Sequence, residues 1–267
     1  MIETLEDHLT LALELADLAR HTLLNGYRPD YAHSIKSDGS PVTALDQEIE
    51  RKLRSRIEER FPHHGILGEE YGVQGLDREY LWVLDPIDGT KSFAAGLTDF
   101  GTLIALCRAG RPIIGIVDMP LQKQRCLGIL GRETTINGEV VHCRADQPLH
   151  QSIMISSGVD SFNGNVAQEG FDGLRQRTAW NVYSAGCAGY LSLSRGVVDI
   201  CLEGNLDPFD FCVLVPVIEG AGGRITDWQG KRLGLGSGPL MVASGSAQLH
   251  DEILAVLQGG SESSLTG

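Results

Sequence analysis

The sequence predicts a layered α/β protein. Three observations carry that prediction: an amphipathic helical pattern at the N-terminus, a run of strand patterns between residues 80 and 130, and alternating strand and helix patterns from residue 152 onward. No internal repeat interrupts this organisation.

In chain order, Leu5, Leu9, Ala12, Ala16, Ala19 and Leu23 recur at helical steps, and Leu11, Leu15 and Leu18 widen the stripe. That spacing predicts a helix over 5–24 with a broad buried face. Ser37-Asp38-Gly39-Ser40-Pro41 is a turn cluster. A second helix is expected from Thr43 to Arg60, stopped by Pro62 and Gly65, with Asp46 in its opening turn. Gly65 to Leu67 reads as a short strand leading into Gly68-Glu69-Glu70, and Tyr80 to Leu84 as a strand pointing at Asp85. Strand patterns over 101–107, 112–118 and 125–130 are separated by turn-like segments, as in a meander, and Asn137-Gly138 marks a tight turn. The first half is therefore expected as helices on an antiparallel sheet.

The second half alternates. Strands are predicted over 152–156, 178–182, 197–202 and 240–243. Helices are predicted before Arg175 and over 187–195, 211–221 and 247–257, the third buried and ended by Gly222-Gly223. The small polar tail from Gly259 to Gly267 is expected to be disordered. A change of pattern near Asp146 divides the chain into 1–145 and 146–267.

Composition bounds the function. With 42% hydrophobic and 21% charged residues, the chain is an ordinary globular protein. No window reaches the length of a membrane span. A net charge of -13 argues against nucleic acid as a partner. The acidic start, Met1 to Asp7, lacks a signal-peptide layout, so a cytoplasmic location is expected. The six cysteines form no C-x-x-C pair and are expected to be buried free thiols. His63-His64 are expected at the surface, Trp82 in the core, and Lys36 near enough to a bound phosphate to approach it.

The chemistry concentrates in Leu84-Asp85-Pro86-Ile87-Asp88-Gly89-Thr90. Two aspartates flank a proline that removes an N–H, leaving the Ile87 carbonyl free as a neutral oxygen ligand. Asp88 stands where an N-cap would, before Gly-Thr and an expected helix whose N-terminus offers N–H groups to an anion. Hard divalent cations prefer such oxygen ligands, and Mg2+ is commonly held by a few carboxylates plus phosphate. The candidate ligands are Glu69 or Glu70, Asp85, Asp88 and a distant carboxylate, Asp207 or Asp210.

Gly68-Glu69-Glu70, Trp82 through Thr90, and Asp207-Pro208-Phe209-Asp210 together resemble the inositol monophosphatase family, over residues 37 to about 250. Within it the chain is most similar to the histidinol-phosphatase branch. The matching strings are Asp38-Gly39-Ser40-Pro41-Val42-Thr43, Gly101 to Leu106, Asp118-Met119-Pro120, and Pro216 to Gly223 continuing through Thr226-Asp227-Trp228. The resemblance implies a layered αβαβα sandwich, a lithium-sensitive phosphatase that uses two to three Mg2+ ions, and a homodimer. It implies that Glu70, Asp85 and the Ile87 carbonyl hold one ion, that Asp85, Asp88 and Asp210 hold a second, and that Glu70 helps place a third. Thr90 with Asp46 would orient the attacking water, and the Gly89 and Thr90 N–H groups would face the phosphate. Glu203 matches a position that contacts a substrate hydroxyl or amine.

The chain departs from the branch at Gly186-Cys187-Ala188, a substrate-side segment where Gly186 stands in place of an Asp. The expected substrate is L-histidinol phosphate, with myo-inositol monophosphate as the alternative. Two further readings are a non-catalytic relative and a bisphosphate-cleaving enzyme. The retained Asp46, Glu70, Asp85, Asp88, Thr90 and Asp210 weigh against the first, and the absence of a clear second basic cluster weighs against the other.

Overall fold

A computed structural model describes residues 3–28, 33–35, 41–183 and 186–259. Lys36, most of the turn cluster before Pro41, and all of the C-terminal tail beyond Gly259 lie outside the described residues. In chain order the elements are α1 (Leu5–Gly26), β1 (His33–Ile35), β2 (Pro41–Thr43), α2 (Ala44–Arg60), β3 (Gly65–Gly68), β4 (Gly72–Gln74), β5 (Tyr80–Asp88), α3 (Thr90–Ala94), β6 (Gly101–Arg108), β7 (Arg111–Met119), β8 (Gln124–Ile129), β9 (Thr135–Ile136) and β10 (Glu139–Val140). There follow β11 (Ile153–Ser156), α4 (Asn165–Arg175), β12 (Trp180–Tyr183), α5 (Gly186–Ser194), β13 (Ile200–Glu203), α6 (Pro208–Phe211), α7 (Leu214–Gly220), β14 (Arg224–Asp227), β15 (Met241–Ser244) and α8 (Ala247–Leu257).

The strands form an eight-stranded sheet in the order β10-β9-β8-β7-β6-β5-β3-β4 and a five-stranded sheet in the order β12-β11-β13-β15-β14, besides the β1–β2 pair. Side chains alternate across a strand, so each sheet serves two cores. On the first sheet, Trp82, Leu84, Ile104 and Ile116 pack with Leu15, Leu23, Ile49 and Leu53 of α1 and α2. Leu81, Val83, Leu103 and Ala105 face the other way, onto α5 and α7. The second sheet closes that middle core with Ile155, Cys201 and Ala243. Its outer face, Met154, Ile200 and Val242, packs on α4 and α8 through Phe171 and Ile253. The result is five layers, αβαβα. The two halves on either side of Asp146 share the middle core, and each has a further core of its own on its outer face.

Several details differ from the sequence reading. The first sheet is mixed, because β3 runs parallel to β5. The helix expected over 211–221 is two pieces, α6 and α7. Pro216 has no N–H to give the Cys212 carbonyl four residues back, and its ring crowds that carbonyl. Strand β14 was not foreseen; its four residues sit too close to glycines and polar residues to show a period. The Asn137-Gly138 turn is as expected, with φ of 51° and 84°. All six cysteines are free, and Cys143 alone among them is only partly buried.

Candidate active site

The carboxylates converge where the first sheet meets the middle helical layer. Strand β5 does not stop at Leu84. It runs on through Pro86 to Asp88, with its pairing to β6 shifted between Asp85 and Asp88. The expected N-cap at Asp88 is therefore corrected: Gly89 caps α3, in the left-handed region at φ 82°. A Cβ there would lie 2.7 Å from the Asp99 carbonyl oxygen, so glycine is required on both counts.

Asp85, Asp88 and Asp210 each offer a carboxylate oxygen, all within 4.8 Å of one another. Asp210 comes from the far half of the chain. It is fixed by the capping box of α6, where the Asp207 N–H donates to its Oδ2 at 2.7 Å. Asp207 is the N-cap of this short helix, which separates the two aspartates that the sequence alone left open. Asp88 accepts the Cys187 N–H at 2.7 Å.

The glutamate that bears on this cluster is Glu69, not Glu70. Glu69 shares a hydrogen bond with Asp85, and its charge acts on Asp85, Asp88, Asp210 and Asp46. Its own N–H donates to the Leu84 carbonyl at 3.1 Å, which brings it alongside Asp85. Glu70 turns its backbone N–H onto Glu50, 2.7 Å away. The two adjacent residues make different contacts, and no sequence pattern distinguishes them.

The predicted Thr90–Asp46 pair is engaged differently. The Thr90 hydroxyl donates to the Ile87 carbonyl at 2.9 Å. Asp46 sits in the capping box of α2, its Oδ2 accepting the Thr43 N–H at 2.9 Å and the Thr43 hydroxyl. Asp46 Oδ1 is buried with no hydrogen-bond partner, and so is Asp85 Oδ1. Burial pushes the Asp85 and Asp210 carboxyls well above the usual range, with the neighbouring carboxylates adding to it. Burial raises Asp88 and Asp46 as well, against the hydrogen bonds that each accepts. Such a group of unanswered, mutually repelling oxygens fits a hard divalent cation.

Beside the cluster a pocket is lined by Asp88, Leu103, Ser157, Gly186, Cys187, Tyr190, Glu203, Leu206, Asp210 and Leu214. Glu203, at the end of β13, accepts the Ser157 N–H at 2.9 Å through Oε1, while its buried Oε2 has no partner. Burial raises its carboxyl to about 8. Gly186, at φ 42°, would place a Cβ 3.0 Å from Asp88 Oδ2, so a carboxylate at this position would crowd Asp88. Cys187 contributes its N–H; its thiol is buried and raised by burial.

A second cluster, Glu3, His8 and His64, has metal-like spacing. His64, expected at the surface, is buried. The Trp82 indole N–H donates to His64 Nδ1 at 3.1 Å, which leaves the imidazole proton on Nε2, facing Glu3 at 2.9 Å. A neutral histidine in that tautomer is a donor rather than a metal ligand.

Fold and site together define a phosphatase with a carboxylate metal centre. Residues 4–262 match the model of the inositol monophosphatase family. The chain belongs to that family and is a metal-dependent phosphatase acting on a small phosphorylated substrate. It is 39% identical to the bifunctional phosphatase IMPL2, chloroplastic, of Arabidopsis thaliana, across 91% of this chain and 73% of that protein. It is 33% identical to the histidinol-phosphatase of Mycobacterium tuberculosis, across 95% and 99%. The solved structure of an inositol monophosphatase from Zymomonas mobilis superposes with a TM-score of 0.87 at 35% identity, across 96% and 100%. Among the described residues, no helix is long and apolar enough to cross a membrane.

Proposed function

We propose that the chain is a Mg2+-dependent phosphomonoesterase whose substrate is L-histidinol phosphate. Asp85, Asp88, Asp210 and Glu69 are the proposed ligands. The Ile87 carbonyl joins them through the lone pair that Thr90 does not use. When bound, two to three Mg2+ ions supply charge neutralisation for the phosphate and a more acidic attacking water. The unpartnered Asp46 Oδ1 and the Thr90 hydroxyl are the groups proposed to orient that water. The Gly89 and Thr90 N–H groups are proposed to face the phosphate. The same reading carries lithium sensitivity and a homodimer, on family resemblance.

The observation that carries the substrate is Glu203. Its free Oε2 is buried in a pocket whose other walls include Leu103, Leu206, Leu214 and Tyr190. An ammonium or imidazolium group entering there gives the carboxylate the partner it lacks, and the apolar walls suit an imidazole ring better than a polyol. Gly186 favours the second reading, a myo-inositol monophosphate, because the histidinol-phosphatase branch places an Asp there. Measuring kcat/KM on both esters at saturating Mg2+ separates the two. The histidinol reading expects at least a tenfold preference for histidinol phosphate, and a preference for the inositol ester overturns it.

A further inference from the structure

We propose that Glu50 is a positioning residue that holds the Glu69 loop in its metal-binding conformation. The inference rests on the reading of Glu69 as a metal ligand, and it concerns a side chain outside the ligand set.

Glu50 lies one helical turn beyond Asp46 on α2, so both face the same way. Its carboxylate is fully buried. Oε2 accepts the Glu70 N–H at 2.7 Å and Oε1 accepts the Tyr71 N–H at 3.2 Å. Both N–H groups belong to the loop of residues 69–71 that joins β3 to β4. Arg54, a further turn along α2, answers the charge with its Nε 2.7 Å from Oε1, and its guanidinium also donates to the Gly72 carbonyl. A Cβ on Gly68 would lie 2.0 Å from Glu50 Oε1, so the loop is seated directly on this carboxylate.

Glu69 is thus held from two sides. Its own N–H is tied to Leu84 on β5, and the next two N–H groups are tied to α2. Rotating the loop by one residue would bring Glu70 toward Asp85, and the Glu50 bonds oppose that rotation. One helix therefore supplies Asp46 to the site and anchors the loop opposite it.

The test compares the parent with Glu50→Gln and Glu50→Ala, and uses Glu58→Gln on the exposed side of α2 as a control for lost charge. Mn2+ binding to the substrate-free protein is measured by calorimetry, and exchange of the Glu70 and Tyr71 amides by NMR in metal-free buffer. Gln keeps one acceptor and Ala keeps none. The expected Mn2+ Kd therefore rises about 10-fold for Glu50→Gln and about 100-fold for Glu50→Ala, the range seen when groups that orient metal ligands are removed. Amide exchange at Glu70 and Tyr71 is expected to quicken in both variants. Raising Mg2+ is expected to restore the kcat of Glu50→Gln on 4-nitrophenyl phosphate, which a generally damaged fold would not allow. A folded Glu50→Gln whose Kd stays within twofold of the parent, or whose two amides exchange at the parent rate, overturns the proposal. A parent that binds no Mn2+ sinks the metal reading instead, and the amide exchange still decides whether Glu50 anchors the loop.

Discussion

Two regions of this protein hold carboxylates away from water and treat them in opposite ways. Between α1 and the first sheet, Asp118 is fully buried, and Arg20 meets it with Nε at 2.9 Å and Nη2 at 2.7 Å. Arg125 adds a third contact at 2.6 Å. At the junction of the sheets, Asp85, Asp88 and Asp210 come within 4.8 Å with no ion-pair partner among the described residues, and the charge of Glu69 adds to their repulsion. A buried charge costs several kcal/mol unless it is paired. The first region meets that cost within the chain. The second leaves it standing, which marks where a cation from outside completes the structure.

The largest expected effect breaks the second region. Asp85→Asn removes the proposed shared ligand and should lower kcat/KM by about 1,000-fold, on the order of 4 kcal/mol of transition-state stabilisation. The same change relieves repulsion, so the metal-free variant should melt no lower than the parent. Mg2+ should raise the Tm of the parent and not that of the variant. A variant that melts lower without metal would mean that Asp85 is structural.

Next comes the opposite change in the first region. Asp118→Asn strands two guanidinium groups and should cost about 3 kcal/mol in urea unfolding. Catalysis per folded molecule should stay near the parent value, since Asp118 is tied to α1 and β8 and not to the cluster. Loss of kcat in proportion would erase the contrast between the regions.

A third test concerns burial without a charge partner. His250 is buried between Thr226 at 2.8 Å and Ser244 at 2.9 Å, and burial pushes its imidazole down to about 4. The unfolded chain takes up this proton near pH 6.5, while the folded chain resists until about pH 4. Stability is therefore lost as the pH falls through that window. Between pH 7 and pH 5 the loss should be about 2 kcal/mol greater in the parent than in His250→Gln.

The smallest effect sharpens the functional side. The Glu203 carboxyl is raised to about 8, so the folded state keeps a proton that the unfolded chain gives up near pH 4.5, and stability declines as pH rises between those values. Glu203→Gln removes that charge and should gain about 1 kcal/mol at pH 8, allowing for the unpaired amide it introduces. It should also lower kcat/KM on histidinol phosphate at least tenfold. A gain in stability with unchanged kcat/KM would leave Glu203 outside the substrate pocket.

What the sequence determined by itself is whatever a local pattern dictates. The helical stripes of α1 and α8, the Asn137-Gly138 turn and the opening turn of α2 depend on neighbours within one or two turns. So does the string from Asp85 to Thr90, whose residue types are unusual enough to mark phosphate and metal chemistry. What only the tertiary structure decided depends on contacts across tens of residues. Glu69 and Glu70 have the same side chain, yet it is the Glu70 N–H that meets the Glu50 carboxylate 20 residues earlier, and Glu69 whose charge acts on Asp85. His64 is buried because Trp82 and Glu3 reach it from elsewhere in the chain. Asp118 finds Arg20 at a separation of 98 residues, and Asp88 meets Cys187 at 99. Periodicity and capping are local physics, whereas the choice of partner for a buried charge is settled only when the layers close and water leaves.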